Sequence, residues 1–369
     1  MSDLETLLAP LVESAPDPAP LTAVVARAAG IRRRRRARSA VLAFIVLGAI
    51  TGVIAAFLPR DDQRVRTVST PQVTALPSLQ IGSPSSVPAP GMDMILAFGS
   101  LWISQPEQVA RLDPDSGKVL ARIRVPGSSD YRNLAAGAGS IWVDDTATEV
   151  VTRIDPVTNR VEASIPLTDP VFVTDGVAFL DGKLWIARPM PNDDSRAEVV
   201  AIDPTADRIE DEVRIPRTFD VLAGSGALWY VPEPTGSVSH DLVRLDAKTL
   251  QAKVVRHDAT AVLAIADRRV WLQTTAGVIE IDERTGARIG RVIPVGSVVN
   301  ATAAVADGVL WLAWQADSSS SGTITPYDAA SHRALSKPVP VGLPISNVVV
   351  TSRVVWVQAG GLTRVPFSR

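Results

Sequence analysis

The sequence has no cysteine, which excludes disulfides, thiolate metal sites, thiol catalysis and lipid attachment at a cysteine. Aromatic residues make up only 5 % against 46 % apolar residues. That balance suits a core of Val, Ile, Leu and Ala strands with few rings. Charge of one sign is also scarce overall, at −2 net. The balance hides an asymmetry: residues 1–38 carry seven Arg against four acids, and residues 60–369 carry 30 Lys+Arg against 35 Asp+Glu. The basic part is local, so the bulk of the chain has no nucleic-acid footprint. There is no Gly-rich phosphate loop, zinc motif or nucleophile elbow, and no pattern that calls for a cofactor or a bound metal. No acid/base pair stands out as catalytic.

What is present is a repeat. Leu101-Trp102-Ile103 returns as Ile141-Trp142-Val143, Leu184-Trp185-Ile186, Leu228-Trp229-Tyr230, Val270-Trp271-Leu272, Leu310-Trp311-Leu312 and Val355-Trp356-Val357. The intervals between these tryptophans are 40, 43, 44, 42, 40 and 45 residues. Such a period marks modules that bury their faces only against neighbours. Each unit reads as an inner apolar strand, a tight turn, the tryptophan strand, a third strand ending in Asp, a turn, and a fourth alternating strand. The Asp-led turn is clearest at Asp113-Pro114-Asp115-Ser116-Gly117, where the carboxylate accepts from the backbone ahead and glycine takes the left-handed position. Four short strands joined by hairpins make one blade of a propeller. The expected fold is all-β, a seven-bladed propeller over residues 92–369, with the tryptophans packed between blades. The seventh unit lacks a fourth strand. A strand at about residues 73–81 in the preceding linker is expected to supply it and close the ring, because Leu79-Gln80-Ile81-Gly82 reads like the end of the first unit.

Ahead of the array, Val41–Leu58 is charge-free over 18 residues. At ~1.5 Å per residue it spans most of a bilayer core. Arg32–Arg36 and Arg38 precede it, so residues 1–38 are expected to be a cytoplasmic basic tail, 39–59 a single transmembrane helix in the lipid bilayer, 60–91 a linker, and the propeller extracytoplasmic. The long leading region and the absence of a small-x-small cleavage site argue for an uncleaved plasma-membrane anchor rather than a signal peptide. The layout of this N-terminus resembles that of actinobacterial anti-sigma-type membrane proteins, but the tail lacks their His/Cys zinc motif, and sigma-factor binding is not carried over.

The units themselves, for example Gly139-Ser140-Ile141-Trp142-Val143 with Arg153-Ile154-Asp155-Pro156-Val157-Thr158-Asn159 and Ile165-Pro166-Leu167, resemble virginiamycin B lyase-like and YVTN-type propeller repeats. The resemblance covers residues 92–369. It implies the fold far more than the activity, since such repeats serve binders, sensors and enzymes alike. Lyase chemistry in that family implies a His before an inner strand and a Glu three residues after the strand tryptophan. The corresponding positions here hold Arg132, Asp220, Asn300 and Asn347, and then Gln105, Asp145, Arg188, Pro232, Thr274, Trp314 and Ala359. Only Asp145 is acidic in the second set, so a metal-dependent lyase or hydrolase is the alternative rather than the main reading.

A binding face is expected where the loops after the second strands lengthen, at Pro189–Arg196, Pro232–Asp241 and Gln315–Gly322. The interblade loops should bring Asp130, Tyr131, Arg132, Asp220, Asn300 and Asn347 toward the channel mouth, with Asp145 and Trp314 near the same rim. That set suits a polar small molecule, a peptide or an envelope protein. The functional expectation is a membrane-anchored binding or scaffold module of a bacterial cell envelope; a receptor reporting through the N-terminal tail is a further alternative.

Overall fold

The computed structural model describes residues 79–87, 91, 93–125, 132–145, 150–167, 176–190, 193–218, 220–233, 241–295, 300–316 and 321–369. All of them belong to one compact unit, residues 73–369. Among the described residues no helix is long and apolar enough to cross a membrane; the expected span 39–59 and tail 1–38 lie outside them.

Every sheet is an antiparallel meander of short strands. Blade one runs Met94–Ala97, Ser100–Gln105, Gln108–Leu112 and Val119–Arg124; blade two runs Arg132–Gly137, Ser140–Asp145, Val150–Asp155 and Arg160–Pro166. Blades three to six repeat this plan, and the seven inner strands contact one another in a closed cycle, from Met94–Ala97 round to Ile345–Val350 and back. The fold is a seven-bladed β-propeller. Its core is distributed between the blades. Trp102, Trp142, Trp185, Trp229, Trp271, Trp311 and Trp356 are all at most 2 % exposed, and they fall in separate apolar clusters rather than in one central core.

Ring closure follows the expected logic with a shifted register. Gln80 and Ile81 pair with Ser368 and Phe367. Ser85–Val87 then pairs with Arg364–Leu362. The outer edge of blade seven is thus two short strands broken at Gly82–Pro84, reaching six residues beyond the expected end at Ile81. Residues 73–78 lie outside the described residues. Leu79 is buried at 6 % among residues of blades six and seven, which fixes this segment in place.

In the first two joints the residue that faces the tryptophan on the third strand bolts one blade to the next. Arg111 pairs in register with Trp102 and lies over its ring at 5.2 Å. Its Nη1 donates to Pro156 O at 2.6 Å and Asn159 Oδ1 at 3.1 Å in blade two. Arg153 repeats the arrangement toward Pro204 O at 2.7 Å and Asp207 Oδ1 at 2.8 Å. Asn159 and Asp207 each sit four residues past the Asp that ends a third strand, in the left-handed region, where Asn and Asp are tolerated. Blade three has Ala201 facing its tryptophan, and Leu250 of the next turn packs on the same cluster.

Between blades five and six the chemistry is exchanged. Glu280 faces Trp271, and His332, 0 % exposed at its side chain, brings Nε2 to 2.6 Å from Glu280 Oε2. His332 Nδ1 is 2.7 Å from Arg291 O.

The Asp-led turns also make a pH prediction. Asp113 is held below the usual carboxylate range by the Ser116 hydroxyl first, and Asp155 by the Thr158 hydroxyl. The Thr205 backbone N–H lowers Asp203, and the Thr285 hydroxyl lowers Asp282. For Asp246 the Thr249 backbone N–H leads, with Arg244 second, and the carboxyl is brought down to about 2. A carboxyl lowered by folding contributes stability above its unfolded value and loses it as pH falls. Thermal midpoints should therefore drop as pH goes from about 4 toward about 2, and Thr158→Ala, which removes the leading donor to Asp155, should flatten the drop. A midpoint unchanged across that window would refute this account of the turns.

Candidate functional site

The inner strands enclose a channel of about 740 Å³. One residue per blade, always nine before the strand tryptophan, forms a ring near its mouth: Asp93, Asn133, Gly176, Asp220, Val262, Thr302 and Asn347. The register explains the constancy. The residue facing each tryptophan from the inner strand is seven before it, as Ile95 faces Trp102 and Leu222 faces Trp229. Side chains alternate along a strand, so the position two earlier returns to the same face. Met94, Leu134, Val221 and Leu263 also line the channel but are buried between the blades, so its accessible surface is more polar than apolar.

The two carboxylates of the ring differ. Asp93 Oδ1 accepts from Met94 N at 2.8 Å and Asn347 Nδ2 at 2.6 Å. Its Oδ2 accepts from Leu134 N at 2.8 Å, and Asn347 Nδ2 also reaches Met94 O at 2.9 Å. Asp93 thus ties blades seven, one and two where the ring closes. Burial pushes its carboxyl above the usual range against these donors. Asp220 is exposed. Its Oδ1 accepts from Val221 N at 2.8 Å, and a Cβ at Gly176 would come within 3.0 Å of that oxygen. Gly176, at φ 137°, keeps the space beside this carboxylate open. Among the described lining residues there is no Lys, Arg or His, so the mouth carries negative charge.

Of the residues expected at this mouth, Asp220 and Asn347 line it. Asp130 and Tyr131 lie outside the described residues. Arg132 and Asn300 are the first residues of the inner strands of blades two and six, one and two positions before the ring residues Asn133 and Thr302. Asp145 ends the second strand of blade two, opposite Arg132 in register, and is 0 % exposed. Trp314 is half-buried and packs on the cluster around Leu263, Trp271 and Leu312, where it closes a joint instead of offering a face to the channel. The segment 189–196 is no loop, since Lys183–Met190 and Asp193–Asp203 continue as paired strands through most of it. Asp93, Asn133 and Thr302 line the mouth as well, and the signal in the sequence that marks them is their constant spacing of nine residues before a strand tryptophan.

His257 is exposed and pairs with Asp241 at 2.7 Å. Among the described residues no group of three or more His, Asp or Glu is placed to hold a metal ion.

No family model matches the chain, and no curated protein matches it. Solved structures do. It is similar to the RRP9 WD40 repeats, with a TM-score of 0.60 and 9 % identity over 79 % of this chain and 100 % of that one. BamB from Moraxella catarrhalis gives 0.50 and 9 % over 79 % and 100 %. The extracellular domain of the putative hybrid two component system BT4673 from B. thetaiotaomicron gives 0.55 and 12 %, over 79 % of this chain and 43 % of that one. At these identities the likeness is one of fold, with the propeller plan shared and no residue role transferred.

Proposed function

We propose that this protein is a membrane-tethered binding or scaffold module of the bacterial envelope, with repeats of the virginiamycin B lyase-like kind, that takes a polar ligand at the channel mouth. The observation that carries the binding reading is the ring of Asp93, Asn133, Asp220, Thr302 and Asn347 in a channel whose accessible lining is more polar than apolar. Convergent polar groups in a concave site fix a ligand's orientation. With Asp220 exposed and no basic side chain among the described lining residues, this mouth favours a ligand that brings a positive or hydrogen-donating group. The lyase alternative would need Asp145 to hold a metal beside a substrate, and the complete burial of Asp145 argues against it. The tether rests on the charge-free run Val41–Leu58 and its arginine flank.

Two measurements test the two halves. On the full chain in detergent, a panel of polar and cationic small molecules should raise the thermal midpoint. Asp220→Asn should abolish the rise while leaving the unliganded midpoint within about 1 °C, since an exposed residue away from packing shifts stability little. A ligand that binds Asp220→Asn equally well would refute the channel-mouth site. For the tether, the cysteine-free chain accepts single cysteines. Ser116→Cys should react with a membrane-impermeant maleimide on intact cells, and Ser2→Cys only after lysis. The reverse pattern would refute the orientation.

A further inference from the structure

At the joint between blades four and five an arginine faces the tryptophan but finds no side-chain acceptor in the next turn. Arg244 faces Trp229, as Arg111 faces Trp102. The matching position of the next turn is Gly286, which offers no side-chain acceptor. Gly286 sits at φ 70°, and a Cβ there would lie 2.8 Å from Val255 Cγ1 and 3.1 Å from Val255 O. Arg244 turns back instead to Asp246 of its own blade, Nη1 to Oδ2 at 3.1 Å. In place of the bolt there is a cleft of about 430 Å³.

This cleft carries Arg244, Lys253, Arg268 and Arg284 against one acid, Glu283, on a domain whose total charge is slightly negative. Glu283 is 9 % exposed. Its Oε1 meets Arg268 Nε at 3.4 Å, while its Oε2 is buried with no hydrogen-bond partner. A buried acceptor left unpaired is costly, and a donor brought to it is favoured. The outer strand of blade four, Ala252–Arg256, lines the same cleft; among the described strands it pairs only with Leu242–Asp246. Val254 on that edge is 41 % exposed.

We propose that this cleft binds an extended acidic peptide segment. Acidic side chains would pair with Arg244, Lys253 and Arg284. A peptide N–H would satisfy Glu283 Oε2, and an aliphatic side chain would cover Val254 beside the open strand edge. A bare oxyanion fits less well, because it would meet the unpaired Glu283 oxygen without bringing a peptide donor. The turns that frame the cleft, at Ser225, Arg268 and Thr285, lie at the opposite end of the strands from the ring at the channel mouth, and the cleft has the opposite charge. It is therefore a second site, independent of the proposed ligand there.

The test uses the full chain in detergent and a fluorescent alternating Glu/Val hexapeptide, followed by anisotropy, with a Lys/Val hexapeptide as control. The acidic peptide should bind and the basic one should not, with affinity falling as salt is raised. Lys253→Glu combined with Arg284→Glu, both exposed, should weaken binding at least about tenfold with an unchanged thermal midpoint. Lys118→Glu, an exposed change of the same charge on blade one, should leave binding intact. Equal affinity for the two peptides, or full affinity in the double variant, would overturn the proposal. Inorganic phosphate displacing the peptide at equal concentration would overturn it too, by showing a site that reads an oxyanion alone.

Discussion

Trp356→Ala is expected to lower the unfolding free energy by about 3–5 kcal/mol, the range for emptying a buried tryptophan site. Trp356 is 0 % exposed and spans the joint where the last blade meets the first. Its Nε1 donates to Pro114 O at 2.7 Å. Gly117 makes the approach possible, since a Cβ there would lie 2.7 Å from Trp356 Cη2. Trp311→Ala is the comparison. That ring is equally buried, but its Nε1 has no hydrogen-bond partner, so truncation there should cost about 1 kcal/mol less. Denaturant titration of the two variants would decide; equal losses would mean that the closing joint is held by packing alone.

Removing the closing strands should have an effect of similar size with a different signature. A chain beginning at residue 88 loses Gln80–Ile81 and Ser85–Val87, the Gly82 N to Pro366 O hydrogen bond of 2.8 Å, and Leu79. The leucine alone is worth about 1.5–3 kcal/mol of burial. The strand Leu362–Ser368 would then become an unpaired edge beside Phe367, and exposed edges recruit other chains. The shortened protein should unfold at lower denaturant and elute as oligomers. A chain beginning at residue 79 should stay monomeric and keep its midpoint. If the two behaved alike, the N-terminal strands would be ornamental to closure.

Much of this fold was legible because one residue type marks each module. A tryptophan recurring every 40 to 45 residues sets the blade count, and the strand-ending Asp with its Ser or Thr two or three residues on sets the third-to-fourth-strand turn. Both signals are local and strong. Ring closure was legible as well, because an edge left unpaired in the seventh unit demands a partner. The position of that partner was less so. Residues 80–87 bend at Gly82–Pro84, and nothing in an alternating pattern announces a break whose register is set by Leu362–Ser368.

The candidate site divides along the same line. Asp220 and Asn347 could be read as polar residues just ahead of inner strands. Asp93 could not be weighted, because its role comes from contacts with Leu134 and Asn347, 41 and 254 residues away. Asp145 looked available because charge suggests exposure, yet the packing of blade two buries it completely. The cleft at Arg244 is invisible without the fold. Arg244 has no side-chain acceptor across it because Gly286 stands where the joints after blades one and two place Asn159 and Asp207, and only the ring brings those turns against the preceding blade. The sequence alone determined how many modules there are and how each one turns, since those depend on neighbours within a few residues. Which polar groups face the channel, which are sealed in, and which joint stays open were decided by tertiary structure, because each depends on side chains from two blades meeting across a shared gap.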